Sequence, residues 1–265
     1  MGEIKLEKLV TSKDRVDYWF STTEDLKCFF RMPMHMFIQY DRCIENIPES
    51  ILVIPFLGNV MQIAWLVNAE VFANKVDATF YRSLQRLRDA YQKMYPNCTL
   101  GGTLLAEQED NKAQTSAKSA QMYTGGMDAV TTFIRHAEKR PLLILEYGFY
   151  QDALVGQGAY SRDVKSERNF ASDCNAAREF AQVHGTSCAF IRANYGTFIN
   201  SVAIDKRFAE QMGDNFWHGL HHAMAILGAA APVAFLENIR LLYIASSFSV
   251  GNTSVSYTHL RAHET

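Results

Sequence analysis

A pair of glycines followed by an acid is the pattern in this sequence that is best suited to chemistry. The segment Tyr123-Thr-Gly-Gly-Met-Asp-Ala follows a short, modestly apolar run and precedes residues 128–139, which can form a helix. This order predicts a strand, a tight turn and a helix. Glycines let a backbone approach a ligand closely, and the N–H groups of a helix's first turn attract anions, usually phosphate. The sequence therefore predicts a phosphate-binding loop.

Simpler interpretations of the same segment remain open. Two adjacent glycines alone are typical of an ordinary turn, and Asp128 could serve only as a first-turn acid that the helix dipole favours. The strand before the glycines and the helix after them favour the phosphate-binding interpretation. That interpretation predicts that Gly125 and Gly126 lie between a strand end and a helix start, with their N–H groups facing an open cleft.

The segments that must position this loop alternate between strand and helix. After the strand that ends before Thr124, they are a helix from Asp128, a strand Leu142–Tyr147, a helix Ser166–His184, a strand Ser187–Arg192, a helix from about Phe216 to Ala230 and a strand Leu241–Ser246. Apolar strands separated by helices predict an α/β fold with a doubly wound parallel sheet, in which ligands bind at the carboxyl ends of the strands. Ser246 and Ser247 end the last strand at the edge where the loop lies.

The first half of the chain has a mixed pattern and no motif that suggests chemistry. Val16–Phe20 and the β-branched, apolar run Ile51–Leu57 are predicted to be strands. From Ala78 to Tyr95, apolar residues recur every three or four positions, which predicts an amphipathic helix that ends before Pro96. Residues 105–118 are polar and predict an exposed connection. We therefore expect a smaller mixed α+β domain over residues 1–108, a linker at 109–118 and a ligand-binding domain over 119–252.

Composition narrows the class of protein. The chain has 265 residues, 48% of them hydrophobic, and a formal net charge of -2 with no block of like charge. That balance gives no support for binding to nucleic acid or to an anionic membrane. The apolar run Ala223–Leu236 is short for a membrane span and contains Pro232. Five cysteines without a close pair argue against a disulfide framework and against a Cys-x-x-Cys zinc site, so we expect a soluble, cytoplasmic protein.

The loop and its surroundings resemble the ATP pyrophosphatase superfamily, whose pyrophosphate loop reads Ser-Gly-Gly-x-Asp-Ser. Further matching segments are Leu142-Leu-Ile-Leu-Glu-Tyr-Gly-Phe as the second strand, Trp217-His-Gly near a helix start, and Tyr243-Ile-Ala-Ser-Ser-Phe-Ser at the last strand. The similarity extends from residue 119 to about residue 250, and among the members of the superfamily the segments resemble bacterial proteins related to 7-cyano-7-deazaguanine synthase. It implies a Rossmann-like fold of the HUP type.

The resemblance also implies an activity. A substrate oxygen attacks the α-phosphate of ATP, pyrophosphate leaves, and a nucleophile then displaces AMP from the adenylate. Asp128 would be the catalytic residue and would hold Mg²⁺ against the leaving pyrophosphate. The nucleotide site implied by the resemblance comprises Tyr123, Thr124, Gly125, Gly126, Met127, Asp128, Ala129, His218, Gly219, Ser246 and Ser247. A small-molecule substrate is expected, and the oligomeric state is left open.

The sequence departs from the superfamily pattern at two places in the loop. Thr124 replaces the first serine and keeps a hydroxyl group, whereas Ala129 replaces the last serine and lacks one. The sequence therefore predicts nucleotide binding more firmly than turnover, and a nucleotide-binding or structural module without catalysis is the alternative. No cysteine follows Cys188, so the zinc site of the deazaguanine synthases is not expected.

Several other polar residues admit both a functional and a structural interpretation. His218 and His222 lie four positions apart and would share a helix face, but they lack a third metal ligand, so packing and hydrogen bonding are predicted for them. Asp152, Arg192 and Asn194 follow predicted strands and could face a ligand, or could be structural. The final residues, 253–265, have no apolar periodicity and are predicted to be translated adapter sequence rather than natural chain.

Overall fold

The protein is built from nine strands and eight α-helices in the part of the chain that can be described. The computed structural model describes residues 2–111, 118–149 and 164–245. In chain order the elements are β1 (Glu3–Thr11), β2 (Arg15–Thr22), β3 (His35–Tyr40), α1 (Glu49–Leu52), α2 (Ile54–Val67), β4 (Glu70–Asp77), α3 (Ala78–Met94), β5 (Thr103–Glu109), β6 (Lys118–Met122), α4 (Met127–Arg135), β7 (Leu142–Tyr147), α5 (Val164–Val183), β8 (Cys188–Ala193), α6 (Tyr195–Phe198), α7 (Ser201–Met212), α8 (His222–Leu236) and β9 (Ile239–Tyr243). Short 3-10 helices lie at Glu24–Phe29 and Ala137–Lys139, and a π-helical segment, Trp217–His221, leads directly into α8.

All nine strands belong to one mostly parallel sheet. Their order is β5-β4-β1-β2-β3-β8-β7-β6-β9. The strands β8, β7, β6 and β9 are parallel to one another, as are β1, β4 and β5, whereas the β1–β2, β2–β3 and β3–β8 pairs are antiparallel. This arrangement confirms the predicted α/β class.

Helices cover both faces of the β8-β7-β6-β9 part of the sheet. On one face, Leu143 and Leu145 of β7 pack with Phe133 of α4 and with Phe170 of α5. On the other face, Leu142 and Ile144 belong to the main core, which also contains α2 and α8. Alternate residues of a strand point to opposite faces, so a continuous apolar run is what a strand buried on both faces requires.

Residues 51–57 are helical, so the prediction of a strand there was wrong. They form α1 and the start of α2, whose residues Ile54–Leu66 are all buried. A helix that is buried all round has no polar face, and a short apolar run then cannot be distinguished from a buried strand by its periodicity. Gly58 of α2 lies directly against α8, where an added Cβ atom would come within 2.8 Å of the Met224 carbonyl oxygen. The two helices therefore pack backbone to backbone.

The polar segment after residue 104 is also more regular than the sequence suggested. Its first part, to Glu109, belongs to β5, the strand at one edge of the sheet. Charged side chains are usual on edge strands, because only part of such a strand faces the core. The linker predicted at 109–118 overlaps residues outside the described part, but it does not separate two sheets: β3 from the first half pairs with β8 from the second.

Most other predicted elements are confirmed. Strand β2 contains Val16–Phe20, helix α3 begins at Ala78, and β7 has the predicted bounds Leu142–Tyr147. At the start of α3, the Asp77 side chain accepts a hydrogen bond of 2.8 Å from the Phe80 N–H group, which caps the helix. The helical bounds of α3 are therefore set by a side chain at one end and by Pro96 shortly after the other.

The apolar segment that includes α8 is longer than the sequence indicated. The continuous helix Trp217–Leu236 has 20 residues with a mean hydropathy of 1.5, which is enough to cross a membrane by length and composition alone. Within the protein 56% of this stretch is buried, against the sheet and α2 among other elements. The helix therefore packs as a core element of the fold, and Pro232 lies inside it.

Candidate functional site at the end of β6

The two-glycine segment lies where the sequence predicted it. Strand β6 ends at Met122, and α4 begins at Met127 with Gly126 as its N-cap residue. Gly125 has a φ angle of +74°, a left-handed conformation that glycine adopts without steric cost. The loop joins the carboxyl end of a parallel strand to the N-terminus of a helix, the setting in which backbone N–H groups commonly bind anions.

Hydrogen bonds on both sides hold this loop in place. The Tyr123 N–H group donates to the Ile144 carbonyl oxygen of β7 at 2.8 Å, which extends the β6–β7 pairing by one residue. The Gln121 side chain donates from Nε2 to the Ala129 carbonyl oxygen at 2.6 Å, which ties β6 to the first turn of α4. The loop therefore has fixed anchors at both ends.

The space above the loop is open. A Cβ atom added to Gly125 would meet no atom within 4 Å, and one added to Gly126 would meet only the Thr124 Oγ1 atom, at 3.5 Å. Contact with other protein atoms therefore does not explain the absence of side chains at these positions. The first N–H groups of α4 have no acceptor within the helix, because its hydrogen-bond ladder starts one turn later. The N-terminal end of the helix, with its partial positive charge, borders the cavity, and its Gly126 N–H group lies 3.4 Å from the Thr124 Oγ1 atom.

A cavity of about 370 Å³ extends from this loop across the ends of β6, β7 and β9. It is lined by Met122, Tyr123, Thr124, Gly126, Met127, Asp128, Ala129, Ile144, Glu146, Tyr147, Gly148, Phe149, Tyr195, Trp217, His222, Ile226, Ile244 and Ala245. The wall therefore combines the helix N-terminus with aromatic rings and a few polar side chains, the usual composition of a small-molecule site.

Glu146 is the most unusual polar residue of the cavity. Its Oε1 atom accepts a hydrogen bond of 2.6 Å from the Tyr195 hydroxyl, and its Oε2 atom is buried and has no hydrogen-bond partner among the described residues. Burial raises the pKa of the Glu146 carboxyl to about 8, and the hydrogen bond from Tyr195 opposes that rise only in part. The carboxyl group is therefore mostly neutral near pH 7.

Two glycines leave room for the aromatic rings of Tyr195 and Phe149. A Cβ atom on Gly148 would lie 1.9 Å from Cζ of Tyr195, and one on Gly196 would lie 2.1 Å from Cε1 of Phe149. The Gly196 N–H group donates to the Gly148 carbonyl oxygen at 2.8 Å. Each glycine thus accommodates the aromatic ring beside the other, and the ring of Tyr195 also lies nearly parallel to that of Trp217, with centroids 6.3 Å apart.

The histidines near the start of α8 have separate roles. His222 lines the cavity, and burial, together with the neighbouring His218, lowers its pKa. His221 is buried with its Nε2 atom 2.7 Å from Oδ1 of Asn59, and burial lowers its pKa to about 3. His221 therefore joins α8 to α2 as a neutral side chain, whereas His222 faces the space available to a ligand.

The predicted site residues divide into three groups. Tyr123, Thr124, Gly126, Met127, Asp128 and Ala129 line the cavity, with Gly125 between them. His218 and Gly219 do not line it: the His218 ring is exposed and lies 3.0 Å from the Asn215 side chain, and Gly219 packs against Tyr95. Ser246 and Ser247 lie outside the described residues, as does Asp152.

The residues with open interpretations after β8 are also placed. Asn194 is buried, accepts a hydrogen bond from the Phe37 N–H group at 2.8 Å and donates to the His35 carbonyl oxygen at 3.1 Å, so its role is structural. Arg192 lies in a different cavity, where its guanidinium is 5.9 Å from the Phe170 ring. Neither residue lines the cavity above the loop.

Sequence reasoning did not single out the wall opposite the loop. Glu146, Tyr195, Trp217 and His222 come from three segments that the fold brings together. One signal was present: Glu146 is an acid in an otherwise apolar run, Leu142–Tyr147, that was predicted to be buried on both faces. An acid in such a strand requires a partner or a function.

Metal binding at the cavity would depend on the ligand. Among the described residues, no group of three or more His, Cys, Asp or Glu side chains is placed to hold a metal ion. Mg²⁺ is, however, commonly bound through one or two carboxylates together with substrate phosphates and water. Asp128, at the first turn of α4, fits that mode with a bound nucleotide.

Comparison of the chain with models of protein families, with curated proteins and with solved structures gives no match. The site is therefore interpreted from its own geometry and chemistry.

Proposed function

We propose that this protein binds ATP at the loop Tyr123–Gly126 and the first turn of α4. The observation that carries the proposal is the position of the glycines, between a strand end and a helix start beside an open cavity. The free space above Gly125 and Gly126 would let phosphate oxygens approach the backbone N–H groups. The aromatic wall formed by Tyr195 and Trp217 would suit a planar base.

The order of the parallel strands supports the same proposal. In chain order β6, β7, β8 and β9 take the positions 3-2-1-4 across the sheet, counted from β8 to β9. A Rossmann-like, doubly wound sheet begins with the same strand order. In such a sheet the order of successive strands reverses beside the first strand, and ligands bind at that switch point. The loop follows that first strand, β6. We propose that residues from 118 onwards form a sheet of the HUP type.

The proposed activity is that of an ATP pyrophosphatase, which adenylates a carbonyl or carboxylate substrate. An oxygen of the substrate would form a bond to the α-phosphorus as the bond to pyrophosphate breaks. The N–H groups of Thr124, Gly125 and Gly126 would hold the leaving pyrophosphate, and Asp128 would hold Mg²⁺ beside it. Preorganised donors and charge are the usual means by which proteins accelerate phosphate chemistry.

A second candidate is a nucleotide-binding module that does not turn over ATP. Ala129 favours it, because this residue lines the cavity and brings no hydroxyl group to the first turn of α4. Binding of the phosphates through backbone N–H groups does not need that hydroxyl. Catalysis would gain from it, because a hydroxyl donor could stabilise the negative charge that moves onto the leaving pyrophosphate in the transition state.

The test combines ATP binding with exchange of radioactive pyrophosphate into ATP, in the presence of Mg²⁺ and a panel of small carboxylates and amides. Asp128→Asn is expected to weaken Mg²⁺-dependent ATP binding at least about tenfold and to remove exchange. Glu138→Gln, the same loss of an acid from a nearby short helix that does not line the cavity, is the matched control and is expected to behave as wild type.

A second variant separates a binding loop from an ordinary turn. Gly126→Ala adds a methyl group to open space without a clash with the protein, so the fold should persist while phosphate loses its close approach. Measurable ATP binding without exchange would favour the module. Absence of ATP binding in the wild-type protein, with no effect of Asp128→Asn or Gly126→Ala on any nucleotide titration, would refute the phosphate-binding loop.

A further inference from the structure

Glu146 brings a buried, unpaired oxygen atom to the wall of the cavity. Its Oε1 atom accepts a hydrogen bond from the Tyr195 hydroxyl at 2.6 Å, while Oε2 has no partner in the part of the chain that the structure describes. A buried polar atom without a partner costs free energy, and such atoms are rare unless a ligand or water completes them. Gly148 leaves room for the Tyr195 ring beside Glu146, and Gly196 leaves room for the neighbouring Phe149 ring.

The surroundings determine which hydrogen bond Oε2 can form. Among the described residues that line the cavity there is no Lys or Arg. Among the described residues, the titratable groups around Glu146 are Tyr195 after β8, Tyr40 of β3, whose pKa is raised chiefly by burial and in part by Tyr18 and Glu146, and the cavity residues Tyr123, Asp128, Tyr147 and His222. None of these supplies a fixed positive charge, so burial keeps the carboxyl group protonated near neutral pH.

A neutral carboxyl group carries one hydroxyl donor. The Tyr195 hydroxyl already donates to Oε1, which leaves the proton of the acid on Oε2 of a side chain that lines the cavity. We propose that Glu146 acts in its protonated form and donates a hydrogen bond from Oε2 to an acceptor atom of the bound nucleotide. The acceptor is a ring nitrogen or a phosphate oxygen, both of which accept from a hydroxyl group.

This inference rests on the proposed ATP site and adds to it a binding residue on the wall opposite the loop. It also removes an electrostatic conflict, because an ionised carboxylate and a polyphosphate in one cavity would repel each other. A buried acid that is held neutral so that it can donate is a known device of protein sites.

The test is the pH dependence of ATP affinity with Mg²⁺, measured by calorimetry from about pH 7.5 to about pH 9.5, where the phosphates keep a constant charge. In the wild-type protein the affinity is expected to fall above about pH 8, by up to about tenfold per pH unit. Glu146→Leu is expected to lose at least about tenfold near pH 7.5, and its affinity should approach that of the wild type as the pH rises above 8. Glu146→Gln keeps a donor that does not titrate, so it should recover most of that loss and show no fall above pH 8.

Controls and further arms complete the experiment. Thermal melting of each variant identifies a loss of fold. If Glu146→Leu does not fold, the pH dependence of ATP affinity in Glu146→Gln, compared with that of the wild type, decides the question. Titrations with adenosine and with tripolyphosphate show whether the acceptor belongs to the nucleoside or to the phosphates.

ATP affinity that stays constant or rises above pH 8 in the wild-type protein would overturn the inference, as would a Gln variant as weak as the Leu variant. In both cases, weaker ATP binding by Gly126→Ala than by the wild type would still support the phosphate-binding loop. If the wild-type protein does not bind ATP at any pH, the proposed function and this inference fall together.

Discussion

The Glu146 side chain gives a prediction that needs no ligand. Replacing Glu146 by Gln is expected to stabilise the free protein, by an amount that grows with pH. The pKa of this carboxyl is about 8 in the folded protein and 4.5 when the chain is unfolded. Because the folded pKa is the higher one, the contribution of Glu146 to stability is fully present below about pH 4.5 and is lost as the pH rises through about 8. The neutral Gln side chain does not titrate and keeps its contribution.

The size of the effect follows from the difference between the two pKa values. That difference is about 3.5 units, and at about 1.4 kcal/mol per unit the ceiling is about 5 kcal/mol. Glu146 borders a cavity, and water or local rearrangement reduces the cost of its charge. We therefore expect a gain of about 1–3 kcal/mol for Glu146→Gln near pH 8, and close to zero near pH 4.5.

Urea unfolding of both proteins at about pH 5, 6, 7 and 8 measures this gain. The difference between wild type and variant isolates Glu146, because all other titrating groups are common to both. Glu138→Gln, which removes an exposed acid close in sequence, is the matched control and is expected to show no comparable trend. If the stability curves of wild type and Glu146→Gln stay parallel from pH 5 to pH 8, the folded carboxyl is ionised and the reasoning about its burial is refuted.

Two further substitutions test how the fold positions the site and its helices. Gly148→Ala places a methyl group 1.9 Å from the Tyr195 ring, so the free energy of unfolding in urea should fall by about 1–3 kcal/mol. Gly126→Ala, whose methyl group meets no described atom closer than 3.5 Å, should lower it by less than about 1 kcal/mol. Equal losses in the two variants would contradict the geometry. Asp77→Ala removes the cap on the Phe80 N–H group and should cost about 1 kcal/mol, while Asp77→Asn, which can still accept that bond, should keep most of the stability. A loss in the Asn variant as large as in the Ala variant would show that charge, rather than capping, matters at this position.

The loop between β6 and α4 could be predicted from the sequence because its signals are local. Two glycines, an apolar run before them and a helical pattern after them occupy one stretch of about twenty residues, 119–139. The same holds for α3, where apolar periodicity and Pro96 mark the helix and its end. Such features depend on backbone preferences and on one amphipathic face, which short stretches of sequence encode directly.

The wall opposite the loop could not be predicted in this way. Glu146, Tyr195 and His222 lie in segments far apart in the chain, and they meet only because the sheet order places β7, β8 and the start of α8 around one cavity. The resemblance to the ATP pyrophosphatase superfamily places His218, and not His222, in the nucleotide site. The His218 ring, in the π-helical segment Trp217–His221, is exposed instead. The turn of a helix that faces a cavity is set by packing, which the spacing of two histidines does not reveal.

The order of the strands explains why the two walls of the cavity differ so much in their tolerance of side chains. From β6 the chain passes through α4 on one face of the sheet to β7, whereas it reaches β9, on the other side of β6, from α8 on the opposite face. Above β6 these connections diverge, so an added side-chain atom at Gly125 meets nothing within 4 Å. At the ends of β7 and β8 the chain is closely packed: the Gly196 N–H group donates to the Gly148 carbonyl oxygen at 2.8 Å, and Gly148 has no room for even a methyl group. One sheet edge therefore carries both walls. The loop after β6 leaves space for a ligand, and the packed segments after β7 and β8 hold Tyr195 against Glu146.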